Sequence, residues 1–230
     1  MKQRDKKDSR DARDATPRKS APSVPTVPLV PSNPDGYIPP HGGYEALHSY
    51  QKAQIVFDAT VYFCRRFLEK KDRTYDQMVQ AARSGKQNIR EGSIASATSK
   101  QSEIHLTNVA RGSQEELEED YKDFLRTRGL HEWPEEHRYS QRLRALNRTP
   151  GTTCETFRKG IESENPEIAA NVLLGLVRVT MYLLKRQVAA LEKDFLENGG
   201  IRERMTKARL KARERQQEEE RRKDGKDRKD

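Results

Sequence analysis

One stretch constrains this chain more than any other: "NPEIAANVLLGLVRVTMYLLKRQVAALEKDFLENGG", residues 165–200. It carries its own start and stop signals. Asn165 is an N-cap residue, and Pro166 suits the first helical position, where its missing N–H is no loss. Gly199 or Gly200 supplies the stop. Over 166–196, Ala169, Leu173, Leu176, Val177, Thr180, Met181, Leu184, Val188, Leu191 and Phe195 form a wide apolar stripe. "NVLLGLVRVTMYLL" is apolar nearly all round, and such a helix must be surrounded by other helices or by another copy.

Upstream, three further segments have the period to surround it. Over 44–71, Leu47, Tyr50, Ala53, Phe57, Val61, Cys64 and Phe67 or Leu68 recur at three and four, which is one face of a helix. Cys64 falls on that face and reads as a small buried apolar residue. Over 74–92, Thr74 and Gln77 form a capping box, and Tyr75, Met78, Ala82, Gly85, Ile89 and Gly92 make a heptad-like seam. Gly85 would permit a close helix–helix approach, and Gly92 would serve as a left-handed helix end. Over 98–128, Thr98 and Gln101 form another capping box. Leu106, Val109, Ala110, Ser113, Leu117, Tyr121 and Leu125 make the buried stripe, "EELEED" lies outside, and Gly129 ends the helix. The fold class read from this pattern is all-α: an antiparallel up-down four-helix bundle over 43–200, with an insertion at 129–164. Within the insertion, "EEHRYSQRLRAL" forms a short helix and "RTPGTTC" a turn. Its arginines, Arg138, Arg142, Arg144 and Arg148, are a local excess.

The flanks differ in composition. Eight of the eleven prolines lie between Pro17 and Pro40, so residues 1–42 read as a disordered, proline-rich and charged arm. Residues 201–230 hold 13 Lys/Arg against 8 Asp/Glu, a basic charged tail with helix-forming residues but few apolar anchors. The chain has 45 Lys/Arg and 36 Asp/Glu, a net of +9. Two cysteines give no disulfide framework. No signal segment and no apolar run of membrane-spanning length is read, so the expectation is a cytoplasmic protein with no membrane partner. His131 and His137 lack metal-ligand company at recognised spacings, so no metal and no cofactor is expected.

The run "QMVQAARSGKQNIREGS" followed by "SKQSEIHLTNVARGSQEELEEDYKDFL" resembles a family of small bacterial four-helix-bundle proteins. Some members of that family are encoded within intervening sequences of 23S ribosomal RNA genes. The matching positions are Asn88, Ile89, Glu91 and Gly92, then Ala110, Gly112, Ser113, Glu116 and Leu117. "HGGYEALHSYQKAQIVFDATVYFCRRFL" and "LENGGIRERM" look like the four helix bundle suffix domain subgroup. The resemblance spans about residues 44–128 and 165–196. It implies a barrel-like homopentamer of up-down bundles. A more distant likeness is to the accessory variability determinant protein of diversity-generating retroelements. That relative implies RNA or DNA binding and a reverse transcriptase partner. The family carries no established catalytic residues.

Three function classes compete. The first is a non-enzymatic assembly that binds RNA or DNA without sequence preference. Its candidate site is Arg65, Arg66, Lys70, Lys71, Arg73, Arg83, Lys86, Arg90 and Lys100, nine bases against four acids within 65–100. Arg83, Lys86 and Arg90 each follow a seam residue, which turns them about 100° from the core as a stripe of their own. Such a stripe meets phosphates without reading bases. The bland alternative is a solvated face whose cations pair with acids. The second class is a protein–protein scaffold or accessory subunit, in which the acidic third-helix face meets the basic stripe of another copy. The third, an enzyme, finds no Ser/His/Asp set, metal cluster or phosphate loop; no catalytic residue is assigned. Asn88 and Glu91 read as hydrogen-bond partners at a helix end.

Overall fold

The computed structural model describes residues 38, 41–149 and 151–226, with side chains to residue 222. Most of the arm expected over 1–42, and the last residues of the tail, lie outside the described residues. The described residues are all-helical, with no strand among them. A 3-10 turn at Tyr44–Ala46 precedes α1 (His48–Phe67), α2 (Arg73–Ala95) and α3 (Lys100–Thr127). Two short helices follow, α4 (Arg138–Arg148) and α5 (Cys154–Ile161), then α6 (Pro166–Asn198) and α7 (Ile201–Lys226). Helix α6 packs on α1 and α3, α2 packs on α1 and α3, and α4 and α5 both lie on α6.

Helix α6 has the caps its sequence requires and most of the core, although Phe195, read as part of the buried stripe, is 40 % exposed. The Asn165 side chain accepts from the Glu167 N–H at 2.8 Å, Pro166 opens the helix, and Gly199 follows it at φ 72°. Leu173, Leu174, Leu176, Val177 and Leu184 are buried to within about 1 % exposure. Contrary to the sequence reading, the helical run Pro166–Arg222 does contain an 18-residue window of mean hydropathy 1.5, long and apolar enough to cross a membrane. More than half of that window, 56 %, is buried inside the fold, as a central helix of a packed core would be.

Three helix boundaries depart from the sequence reading. Helix α1 stops at Phe67 because Leu68 is extended, at φ −120° and ψ 146°, and turns its side chain inward. Helix α2 is capped by Asp72, whose Oδ1 accepts from the Thr74 N–H at 2.9 Å. Helix α3 is capped by Ser99, whose Oγ accepts from the Ser102 N–H at 3.0 Å. Each cap residue has extended backbone and a side-chain oxygen within reach of an unpaired N–H in the first turn, so the threonines read from sequence do not serve. Gly92 does not end α2. It is buried within the helix, where an added Cβ would lie 3.3 Å from the Glu103 carbonyl and 3.4 Å from Leu106 Cβ. Gly129, at φ 64°, does follow the end of α3.

Of the α2 seam, Met78, Ala82, Gly85, Ile89 and Gly92 are buried as spaced, while Tyr75 at its start is half-exposed. At Gly85 an added Cβ would overlap the amide of Gln114 on α3. Gln114 is fully buried, and its amide has no hydrogen-bond partner. The α1 seam is rotated from expectation. Ala53 and Cys64 are buried, but so are Lys52, Val56, Ala59, Thr60 and Phe63, while Phe57 and Val61 are half-exposed. The cause is that α1 meets α2, α6 and α5 together, so more than one face is covered. On α3, Ala110, Leu117, Tyr121 and Leu125 are buried, whereas Val109 is 38 % exposed. Tyr121 donates its hydroxyl to Thr60 at 2.9 Å, which satisfies two polar groups inside the core. Cys64 is buried against the Met78 sulfur, and burial pushes its thiol up to about 12.

The insertion is not a loop. Leu143 of α4, at 9 % exposure, sits over Gly175 of α6, where a Cβ would overlap it. Phe157 and Ile161 of α5, both 3 % exposed, join the main core. Gly160 lets α5 approach, since a Cβ there would be 2.8 Å from Val172. The "RTPGTTC" stretch leads directly into α5, a helix that the sequence pattern does not separate from the turn.

Candidate nucleic-acid interface

The seam of α2 dictates where its basic residues go. With Gly85 and Ile89 facing the core, Lys86 and Arg90 face the flank toward α1. There the Lys86 ammonium lies over the Phe57 ring, 4.2 Å from its centroid, and the Arg90 guanidinium lies 5.6 Å from that of Tyr44. The charged heads themselves rest on ring faces, a cation–π placement. Burial holds the Lys86 ammonium below its ordinary value, with Asp58 opposing and Arg83 reinforcing that shift. Arg83 is exposed. Among the described residues none of the three has a carboxylate within ion-pair distance.

The other candidate residues fall in two places. Arg65, Arg66, Lys70, Lys71 and Arg73 cluster at the turn between α1 and α2, all exposed. Arg66 there approaches Glu164 at 3.7 Å. Lys100 lies apart, at the start of α3. It bridges Glu103 at 2.8 Å and Asp194 at 3.2 Å, with its side chain only 13 % exposed. It ties α3 to α6 rather than adding to the stripe.

The acidic face of α3 is organised differently. Glu118 accepts from Arg178 at 2.8 Å and pairs with Lys122 at 3.1 Å. Glu119 takes Lys122 at 2.8 Å, Asp123 takes Arg126 at 2.7 Å, and Glu115 takes Arg111 at 3.4 Å. Arg178 also reaches Glu132 of the insertion at 2.6 Å. Asp120 stands outside these pairs. Burial and the neighbouring Asp123 and Glu116 raise its carboxyl to about 6. Asn88 donates to the Ser84 carbonyl at 2.9 Å, a hydrogen-bond role on α2.

Two cationic features lie outside the site read from sequence. Helix α4 carries four arginines and no acid; its composition is visible in the sequence, but its docking on α6 is not. Helix α7 begins with the Gly200 N–H donating to Glu203 at 2.9 Å, and Arg204 approaches Asp194 at 3.8 Å. From Arg209 to Arg222 every residue is exposed. No family model matches this chain, and no curated protein and no solved structure matches it either.

Proposed function

We propose that this chain is a non-enzymatic, homo-oligomeric four-helix-bundle protein of the cytoplasm that binds RNA or DNA without sequence preference through its basic surfaces. In this reading α1, α2, α3 and α6 form the antiparallel up-down bundle. The carrying observation is a contrast in pairing. On the α3 face Glu115, Glu118, Glu119 and Asp123 are paired within the molecule and only Glu116 and Asp120 stand outside such pairs, while Arg83, Lys86 and Arg90 have no carboxylate at ion-pair distance among the described residues. Cations left without carboxylate partners on a folded face suit a row of phosphates. A scaffold built by meeting of α2 bases and α3 acids between copies has less to work with, because most of those acids already have partners. The family resemblance adds the homopentamer and a reverse transcriptase as candidate partner.

The test is binding of single- and double-stranded RNA and DNA by fluorescence anisotropy over a range of salt. The variant Arg83→Gln/Lys86→Gln/Arg90→Gln is compared with the parent and with a truncation after Gly200. The triple variant is expected to weaken binding, and each phosphate no longer neutralised flattens the salt slope by about 0.7–0.9. No binding by the parent at low salt would overturn the reading. Light scattering tests the assembly: a monomer of 26.6 kDa would remove the pentamer.

A further inference from the structure

The insertion carries a second cationic surface, and it differs from the α2 stripe in having exposed aromatic surface. On α2 the Tyr44 ring is buried, 4 % exposed, and Phe57 is only half-exposed with Lys86 over one face, whereas Tyr139 on the insertion is exposed with Arg138 over one face. On the insertion, Trp133 stacks on His137 at 4.7 Å with the planes 28° apart, and Tyr139 lies 5.3 Å from Trp133. Tyr139 is 39 % exposed, and the Arg138 guanidinium sits 4.4 Å from its ring centroid. Arg142 and Arg148 follow on α4, exposed and without an ion pair among the described residues. Arg144 is held by Glu135 at 2.9 Å.

This surface is held rigidly. The Trp133 N–H donates to Asn171 Oδ1 at 2.7 Å, and Asn171 Nδ2 donates to the carbonyls of His131 and Glu167 at 2.9 and 2.8 Å. Asn171 is buried, Trp133 packs against the core, and Leu143 anchors α4 over Gly175. Arg138 donates to the Tyr139 hydroxyl and so holds that ring in place, and an exposed ring beside arginines without acidic partners is what a single strand needs: bases stack on the ring while cations follow the backbone. A duplex keeps its bases stacked on one another and offers such a ring nothing. We infer that Tyr139, with Arg138 and Arg142, forms a docking surface for single-stranded nucleic acid on the insertion. The inference rests on the nucleic-acid reading above but not on the α2 stripe.

Trp133 is the sole tryptophan of the chain, so its emission reports on this surface alone. The full-length protein is titrated with oligo(dT), oligo(rU), a DNA duplex of the same length, and inorganic polyphosphate. Both single strands should change Trp133 emission saturably, and the duplex and polyphosphate should not. Tyr139→Leu should weaken single-strand binding about 5- to 150-fold, the range for removal of one stacked base. Tyr139→Phe should restore it, and Arg142→Gln should flatten the salt slope. Single-strand binding with Trp133 silent and Tyr139→Leu unaffected would overturn the inference. Polyphosphate matching the single strands would do the same, because charge alone would then suffice. The α2 triple variant separates the two claims. If it abolishes binding while Tyr139→Leu does nothing, the α2 reading stands and this surface falls. If Tyr139→Leu abolishes binding while the triple variant does nothing, this surface stands and the α2 stripe falls.

Discussion

The insertion and the C-terminal tail begin as similar sequences, rich in charge and poor in apolar residues, yet one is built into the fold and the other stands off it. In the insertion, Leu143, Phe157 and Ile161 are buried against α6 and α1. In α7, Ile201, Arg204 and Ala208 are half-exposed where the helix starts, and Met205 and Leu210 are 41 % and 52 % exposed. The difference is geometric. Phe157 and Ile161 are four apart and share a helix face, with Gly160 between them allowing close approach. On α7 the residues that share the Ile201 face, Met205, Ala208 and Ala212, offer mostly small side chains, Met205 is itself exposed, and Leu210 lies about half a turn away, so the helix presents no large apolar anchor to the bundle beyond Ile201. A few anchors on one face outweigh a large surplus of charge, since burial is worth about 25 cal/mol per Å² and surface charge very little.

Breaking the anchored side should have the largest effect. Phe157→Ala should lower stability by about 3 kcal/mol in denaturant unfolding, because α5 loses its main buried side chain. A loss below about 1 kcal/mol would show that α5 rests on the core without joining it. Gly175→Leu should come next, at about 1–3 kcal/mol from overpacking against Leu143. Faster trypsin cleavage within arginine-rich α4 would mark its release, and an unchanged midpoint would mean that Leu143 is not seated there.

Lys52 sharpens the comparison, because it is a charge on the anchored side. It is 7 % exposed, donates to Thr152 Oγ1, and faces the Phe157 ring at 4.9 Å. Burial holds its ammonium below the ordinary lysine value. The folded protein therefore releases this proton at lower pH than the unfolded chain does. Stability should rise as pH climbs from the lowered value toward the ordinary one, about 10.4. Lys52→Met should remove that alkaline rise and stabilise the protein at neutral pH by about 1 kcal/mol. A variant that keeps the rise would assign it to another group. The smallest effect belongs to the tail. Truncation after Gly200 should leave the unfolding midpoint within about 0.5 kcal/mol of the parent, since the tail's ties to the bundle include the weak Arg204–Asp194 pair, its Glu203 cap is local, and its side chains from Arg209 to Arg222 are exposed. A larger change would mean that α7 contributes to the core after all.

Part of the candidate site is legible in the sequence for the same geometric reason. Once Gly85 and Ile89 are on the seam, Lys86 and Arg90 must leave it on one flank, and that is where they lie. Spacing does not show which cations already have partners. Lys100 reads like the others in sequence, yet its neighbours in space include Asp194, nearly a hundred residues away. Arg178 likewise joins Glu118 to Glu132 across three segments. Pairing depends on distances that no local pattern contains. The rings of Trp133, His137 and Tyr139 are equally unreadable as a group, because a loop held by Asn171 brings them together.

By itself the sequence determined that the described chain is helical, where α6 begins and ends, and which face of α2 is buried. These follow from caps and from a period of 3.6 residues, interactions within one or two turns. Tertiary structure decided how far α1 is rotated, that Gly92 is a packing site rather than a stop, and that the insertion belongs to the core. Each of those depends on what another segment covers: α5 over Lys52, α3 against Gly92, α6 beneath Leu143 and Phe157. A helix carries the pattern of its own faces, but the neighbour that covers each face is chosen only when the whole chain packs.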